Sequence, residues 1–225
     1  MSKVYAIIPA GGSGKRIGSE LPKQFIQFDG KEMIAYTLDV FQKCDLIDEI
    51  IIATQLKFFD TVESIKSKFN LDKITKIVEG GKERQESVFN ALSSIDSEDN
   101  DFIVVHDAAR PLLPQDVLTN SIKLAHEKGN SVAAIKAQDT LIKGSNKVDI
   151  YIDRQNIYYV QTPQIFMYKE LLEAMRKAAN ENFTGTDESM LVKRLGKEIF
   201  IAEGSSLNFK VTTESDLELF RRLVT

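Results

Sequence analysis

Cysteine is almost absent: Cys44 is the only one in 225 residues. A lone thiol excludes an intrachain disulfide and any metal site built from several cysteines, and Cys44 reads as a small apolar helix residue. Long apolar runs are missing as well. None approaches the roughly 20 residues needed to cross a bilayer. Met1-Ser-Lys-Val-Tyr moves directly into a strand-like segment without a signal-peptide layout, so a cytoplasmic protein with no membrane partner is expected. The third absence is an excess of basic charge. The formal net charge is −4, which argues against a nucleic-acid binder working by broad phosphate neutralisation. A few Lys and Arg gathered in one cleft would not register in that total.

What is present is an ordinary globular mixture, 43% hydrophobic with charges of both signs, at a length suited to one large domain. Short β-branched runs recur at Val4–Ile8, Glu49–Thr54, Ile74–Val78, Phe102–His106 and Ser131–Ile135. Between them apolar residues fall at helical spacing: Ile34, Leu38 and Phe41, then Leu118, Ile122 and Ala125. Nearly continuous apolar strands separated by amphipathic helices predict an α/β fold with a Rossmann-like, mostly parallel sheet flanked by helices. The alternation weakens after Ile135. Residues 136–160 are polar, with Lys143-Gly144 and Ser145-Asn146 between Thr140-Leu-Ile and Val148–Ile152, a pattern that predicts a protruding β-hairpin arm. Helices are expected at Tyr168–Ala179 and after Thr186-Asp187, and short strands at Ile199–Ala202 and Phe209–Thr212. Thr213 and Asp216 are placed to cap a last helix.

The strongest local signal is Pro9-Ala-Gly-Gly-Ser-Gly-Lys-Arg16, directly after the first strand. Open α/β sheets bind ligands at the carboxyl ends of their parallel strands. Gly11, Gly12 and Gly14 let backbone N–H groups approach phosphate oxygens closely, and Lys15 and Arg16 add cations. A P-loop is excluded because Pro9 and Arg16 occupy its required Gly and Ser/Thr positions. The dinucleotide fingerprint fails because Gly18 is one residue late. A plain tight turn stays open at this point. Next comes Leu21-Pro-Lys-Gln-Phe25, in which Pro22 restricts Leu21 and fixes the direction of Lys23.

The glycine loop and Leu21-Pro-Lys-Gln-Phe25 are followed, in order, by Gly80-Gly-Lys-Glu-Arg-Gln-Glu-Ser87, His106-Asp-Ala-Ala-Arg-Pro111, Asp153-Arg154, Gln161-Thr-Pro-Gln164, Thr186-Asp-Glu and Asn208-Phe-Lys-Val-Thr212. The ordered set resembles the 2-C-methyl-D-erythritol 4-phosphate cytidylyltransferases of non-mevalonate isoprenoid precursor biosynthesis, and spans essentially the whole chain. Two details depart from the usual family pattern, Phe209 for isoleucine and Tyr151-Ile152 for threonine-valine; neither touches a phosphate-binding side chain.

The resemblance implies a single nucleotidyltransferase domain over 1–225. Its expected substrates are CTP and a small polyol phosphate, and its products a CDP-alcohol and pyrophosphate. It implies that Ala10, Gly11, Gly12, Gly14, Arg16, Lys23, Gly80, Gly81, Ser87, Asp107, Ala108 and Lys210 bind the nucleotide. Asp107, Arg110, Thr140, Arg154, Thr162 and Thr186 are implied around the acceptor. Arg16 and Lys23 are expected to stabilise the transition state, and Arg154 and Lys210 to place the nucleophile. Asp107 among phosphates suggests an intervening magnesium ion. A homodimer is implied, formed through the arm. Outside the motifs, the arginines would read as structural ion pairs with Asp153 or Asp187. His106 is adjacent to Asp107, but a largely ionised phosphate monoester needs little proton abstraction. Alternatives are a ribitol 5-phosphate cytidylyltransferase built from the same motifs, a hexose 1-phosphate nucleotidyltransferase, and a non-catalytic nucleotide-binding module.

Overall fold

The computed structural model describes residues 2–12 and 21–225. Strand β1 (Val4–Pro9) is followed by a single 3-10 turn at Lys23–Phe25, by two-residue strands β2 (Gln27–Phe28) and β3 (Lys31–Glu32), and by α1 (Met33–Gln42). Then β4 (Glu49–Thr54), α2 (Phe59–Phe69), β5 (Ile74–Glu79), α3 (Arg84–Ser93), β6 (Phe102–Val105), α4 (Gln115–Lys128) and β7 (Asn130–Lys136) alternate regularly. The remainder is β8 (Leu141–Gly144), β9 (Val148–Ile152), β10 (Tyr158–Met167), α5 (Tyr168–Asn180), α6 (Glu188–Lys193), β11 (Ile201–Glu203) and α7 (Glu214–Val224).

Among the described residues, seven strands form the central sheet in the order β11-β7-β10-β6-β1-β4-β5. The pairs β1·β4, β1·β6, β4·β5 and β11·β7 are parallel, and β10 runs antiparallel to both neighbours. The period of two explains the layering. Val4, Ala6 and Ile8 of β1 face one layer with Ile34, Leu38 and Phe41 of α1 and Leu118, Ile122 and Ala125 of α4. Tyr5 and Ile7 face the other, with Val88, Ala91 and Leu92 of α3 and Leu171, Ala174 and Met175 of α5. Truncating Phe41, which is fully buried, would cost about 3–5 kcal/mol. A smaller cluster of Phe28, Met33, Val211 and Phe220 seats the stretch after Asn208 against α1 and α7. Cys44 is buried, one residue past the cap of α1.

Three expectations are corrected. The stretch Phe209–Thr212 forms no strand; Val211 N donates to Ala109 O at 2.8 Å, and side-chain contacts, among them the aromatic cluster, hold the chain there. The short strand expected at Ile199–Ala202 begins at Ile201. The arm is narrower than 136–160: Tyr158 pairs with Lys136 inside the central sheet, so only β8 and β9 form the separate hairpin. The long strand β10, inserted between β6 and β7, has no counterpart in the sequence reading. Pro163 and the polar residues around it hide the strand, and a register shift between Val160 and Gln164 accommodates them.

Candidate active site

A cleft of about 720 Å³ lies at the carboxyl ends of β1, β4, β5 and β6, lined by the segments 9–12, 23–24, 80–84 and 107–109 together with Gln55, Ser87, Lys210 and Thr212. Its first wall is the start of the glycine loop. Gln24 Nε2 donates to Ala10 O at 2.6 Å and to Gly12 O at 3.2 Å, Gln55 Nε2 to Gly11 O at 3.1 Å, and Thr54 Oγ1 to Ala10 O at 3.2 Å. In a trans peptide the carbonyl and the following N–H point opposite ways. Fixing the carbonyls of Ala10 and Gly11 therefore aims the N–H groups of Gly11 and Gly12 away from those donors. Among the described residues, a Cβ on Gly12 would meet nothing within 4 Å.

The second wall is the turn from β5 into α3. Gly80 N donates to Thr54 O at 2.8 Å, and Ser87 Oγ accepts from Gly81 N at 3.1 Å while donating to Glu83 O at 3.0 Å. A Cβ on Gly81 would lie 2.1 Å from Glu86 Cβ, so glycine is required by space. The hydroxyl of Ser87 shapes this turn and is buried behind it.

The floor carries the charges. Asp107 Oδ1 accepts from Arg84 Nε at 2.8 Å, and Asp107 Oδ2 pairs with Lys210 Nζ at 2.8 Å and faces Arg110 Nε at 3.9 Å. Burial alone would raise the Asp107 carboxyl, but Arg84 and Lys210 outweigh it and hold the group ionised, far below the usual carboxylate range. Arg84 Nη1 also donates to Glu188 Oε1 at 2.6 Å. Burial opposes the Arg84 charge, but Glu188 and Asp107 reverse that and hold the guanidinium above its ordinary pKa. Lys23 Nζ donates to Val211 O at 2.5 Å, tying the Leu-Pro-Lys turn to the segment that carries Lys210.

His106 is fully buried. Its Nε2 faces Arg110 O at 3.2 Å and its Nδ1 faces Thr162 Oγ1 at 3.0 Å, while Asp107 N donates to that same hydroxyl at 3.2 Å. With Oγ1 accepting from the amide, its proton goes to Nδ1, so Nε2 carries the ring hydrogen and donates to the carbonyl. The imidazole is thus a neutral strut, its pKa lowered by burial to about 4.

The cleft brings together Ala10, Gly11, Gly12, Lys23, Gly80, Gly81, Ser87, Asp107, Ala108 and Lys210. Gly14 and Arg16 lie outside the described residues. Arg110 sits behind the floor and donates through Nη1 to Asn208 O at 2.7 Å, in place of an ion pair with Asp153 or Asp187. Thr162 is engaged with His106. Thr186 is exposed just before α6, and Thr140 and Arg154 are exposed at the base of the hairpin, where Arg154 Nη1 donates to Gln138 O. Sequence reasoning passed over Arg84, Gln24, Gln55 and Glu188. Arg84 carried one signal: it occupies the first turn of α3, where the helix dipole disfavours a cation unless an anion compensates.

The sequence model of the family described as IspD, 2-C-methyl-D-erythritol 4-phosphate cytidylyltransferase, matches residues 4–225. The chain belongs to this family. The protein of that name from Clostridium perfringens (strain 13 / Type A) is 41% identical over 228 residues, covering 100% of both chains. That from Clostridium botulinum (strain Langeland / NCTC 10281 / Type F) is 39% identical, covering 100% of this chain and 98% of its own. The crystal structure of the Francisella tularensis 2-C-methyl-D-erythritol 4-phosphate cytidylyltransferase superposes with a TM-score of 0.84 at 31% identity, over 99% of this chain and 100% of that one.

Proposed function

We propose that this chain transfers the cytidylyl group of CTP to 2-C-methyl-D-erythritol 4-phosphate, releasing pyrophosphate, in isoprenoid precursor biosynthesis. The observation that carries the reading is the cleft itself. The pinned carbonyls of the glycine loop, Lys23, Lys210 and a carboxylate-anchored floor converge there in a chain that belongs to the cytidylyltransferase family over nearly its full length. An oxygen of the acceptor phosphate attacks the α-phosphorus of CTP; the bond from that phosphorus to the β-phosphate oxygen breaks, and the electron pair leaves with pyrophosphate. Positioning and charge stabilisation supply the catalysis. The N–H groups of Gly11 and Gly12 receive phosphate oxygens, Lys23 faces the charge that grows at the α-phosphate, and Lys210 holds the attacking phosphate in line. His106, bonded at both nitrogens, takes no proton in the step.

Among the described residues no group of three or more His, Cys, Asp or Glu is placed to hold a metal. Magnesium is commonly held by one or two carboxylates together with substrate phosphates, and Asp107, with acceptor capacity beyond its two close ion pairs, is the carboxylate that would face it. When bound, the ion neutralises charge on the leaving pyrophosphate. We place the enzyme in the cytosol as a homodimer; among the described residues no helix is long and apolar enough to cross a membrane.

The test is pyrophosphate release with methylerythritol phosphate. It should proceed with CTP and magnesium, fall sharply with ATP or GTP, and stop in EDTA. Equal turnover with ATP would overturn CTP as the nucleotide donor, full activity in EDTA would remove the metal, and preferential use of ribitol 5-phosphate would change the acceptor.

A further inference from the structure

Arg84, which lines the cleft, and Glu188 behind it take no part in the steps above, yet they form a close ion pair. Glu188 is 1% exposed, opens α6, and has an Oε2 with no hydrogen-bond partner among the described residues. A carboxylate so buried is costly without a counter-charge, and Arg84 Nη1 at 2.6 Å supplies it. The same guanidinium reaches Asp107 through Nε. Its planar fork fixes the angle between the two carboxylates, which the flexible ammonium of a lysine cannot do. Three elements meet at this one side chain: α3 behind the glycine turn, the loop after β6, and the start of α6. Two residues before Glu188 is Thr186. Asp187 caps α6 by accepting from Met190 N at 2.9 Å and is held by Gln164 Nε2 at 3.0 Å, so this segment is rigid where Arg84 grips it.

We propose that Arg84 is a positioning residue for cytidylyl transfer, clamping Asp107 to Glu188 so that the Asp107 carboxylate presents Lys210 at the reacting phosphates and the Thr186 segment stays fixed to the nucleotide side. The inference rests on the transfer reading given above. With Arg84 matched by Glu188, Asp107 remains the partner of Lys210; without Arg84, Asp107 is free to turn and Lys210 follows it. A displacement of about 1 Å in such a group costs on the order of 10²-fold in rate.

The experiment measures kcat, KM for both substrates, CTP affinity by calorimetry and Tm for wild type, Arg84→Lys, Arg84→Met and the double variant Arg84→Met/Glu188→Met. Arg84→Met should lose Tm and about 10²-fold in kcat. The double variant removes the stranded carboxylate along with its partner, so Tm should recover while kcat stays low and CTP affinity stays near wild type. Recovery of kcat together with Tm would show that Arg84 only neutralises Glu188, and overturns the clamp. So does a raised KM for CTP at unchanged kcat, the mark of a simple nucleotide contact. If the double variant does not fold, Arg84→Lys decides: low kcat at wild-type Tm supports the clamp, and wild-type kcat overturns it. A wild type without turnover overturns the transfer reading and the clamp with it; an active wild type matched by the double variant overturns the clamp alone.

Discussion

His106 shows how a residue beside a reactive group can be structural. Its ring is enclosed, bonded at both nitrogens, and tilted against Phe41 with the ring centroids 5.2 Å apart. The folded state therefore resists protonation. The imidazole pKa falls from 6.5 to about 4 on folding, so between those values the unfolded chain binds the extra proton. The resulting stability is fully present above pH 6.5 and is lost as pH drops toward 4. At roughly 1.4 kcal/mol per unit the loss amounts to about 3 kcal/mol. Asp107, held far below the usual carboxylate range, also favours the folded state and loses its contribution at lower pH. His106→Gln keeps a donor for Arg110 O and an acceptor for Thr162 without a titrating ring. Urea unfolding at intervals from pH 4 to 7 should show the decline in wild type and a much flatter profile in the variant. Parallel profiles would mean that the ring is not the source.

Among the elements, the parallel strands and their helices were legible because burial on both faces leaves an unbroken apolar run, as in Val4–Pro9 and Glu49–Thr54. The hairpin was legible from its turn residues. Strand β10 was not, because Pro163 interrupts its apolar pattern, and neither was the Arg84–Glu188 pair, whose members are 104 residues apart and have no spacing to betray them. The start of the glycine loop, residues 9–12, and Lys23 were expected at the end of a strand and line the cleft there. Lys210 was identified while its local structure was not: a one-sided hydrogen bond and the cap of α7 stand where a strand was expected. That cap has a double task. Thr213 Oγ1 accepts from Asp216 N at 3.2 Å, and Asp216 accepts from Thr212 N at 2.8 Å and Thr213 N at 2.8 Å. Burial works against the Asp216 charge, but the amides of Thr212 and Thr213 outweigh it and lower its pKa. Thr213→Ala and Asp216→Ala should each cost about 1 kcal/mol in stability. Asp216→Ala should also lower kcat, because it frees Thr212 and with it Lys210, whereas Thr213→Ala should leave kcat almost unchanged. Equal kcat in the two variants would show that Lys210 does not depend on the cap.

For the molecule as a whole, the hairpin poses the remaining problem. Among the described residues, strands β8 and β9 pair only with each other, and Ile142, Val148, Ile150 and Tyr151 are exposed, Tyr151 by 74%. A two-stranded ribbon alone in water is marginally stable, so this apolar surface calls for a partner. Thr140 and Arg154 sit at its base and do not line the cleft of their own chain. Both facts follow if each arm crosses to a second copy, as closed two-fold symmetry allows, and delivers Arg154 to the acceptor side of that copy's site. Lys23 and Arg154 of one working site then come from different chains. Lys23→Ala should lower kcat by about 10²–10³, the loss expected for one preorganised charge stabiliser, and Arg154→Ala should be similarly impaired. When the two variants are mixed and allowed to exchange subunits, a mixed dimer collects both lesions in one site and leaves the other intact. With random exchange half the dimers are mixed and each has one good site, so activity should return to about one quarter of wild type. Exchange demonstrated by differently tagged subunits, without recovery of activity, would place Lys23 and Arg154 in the same site from the same chain and end the shared-site arrangement.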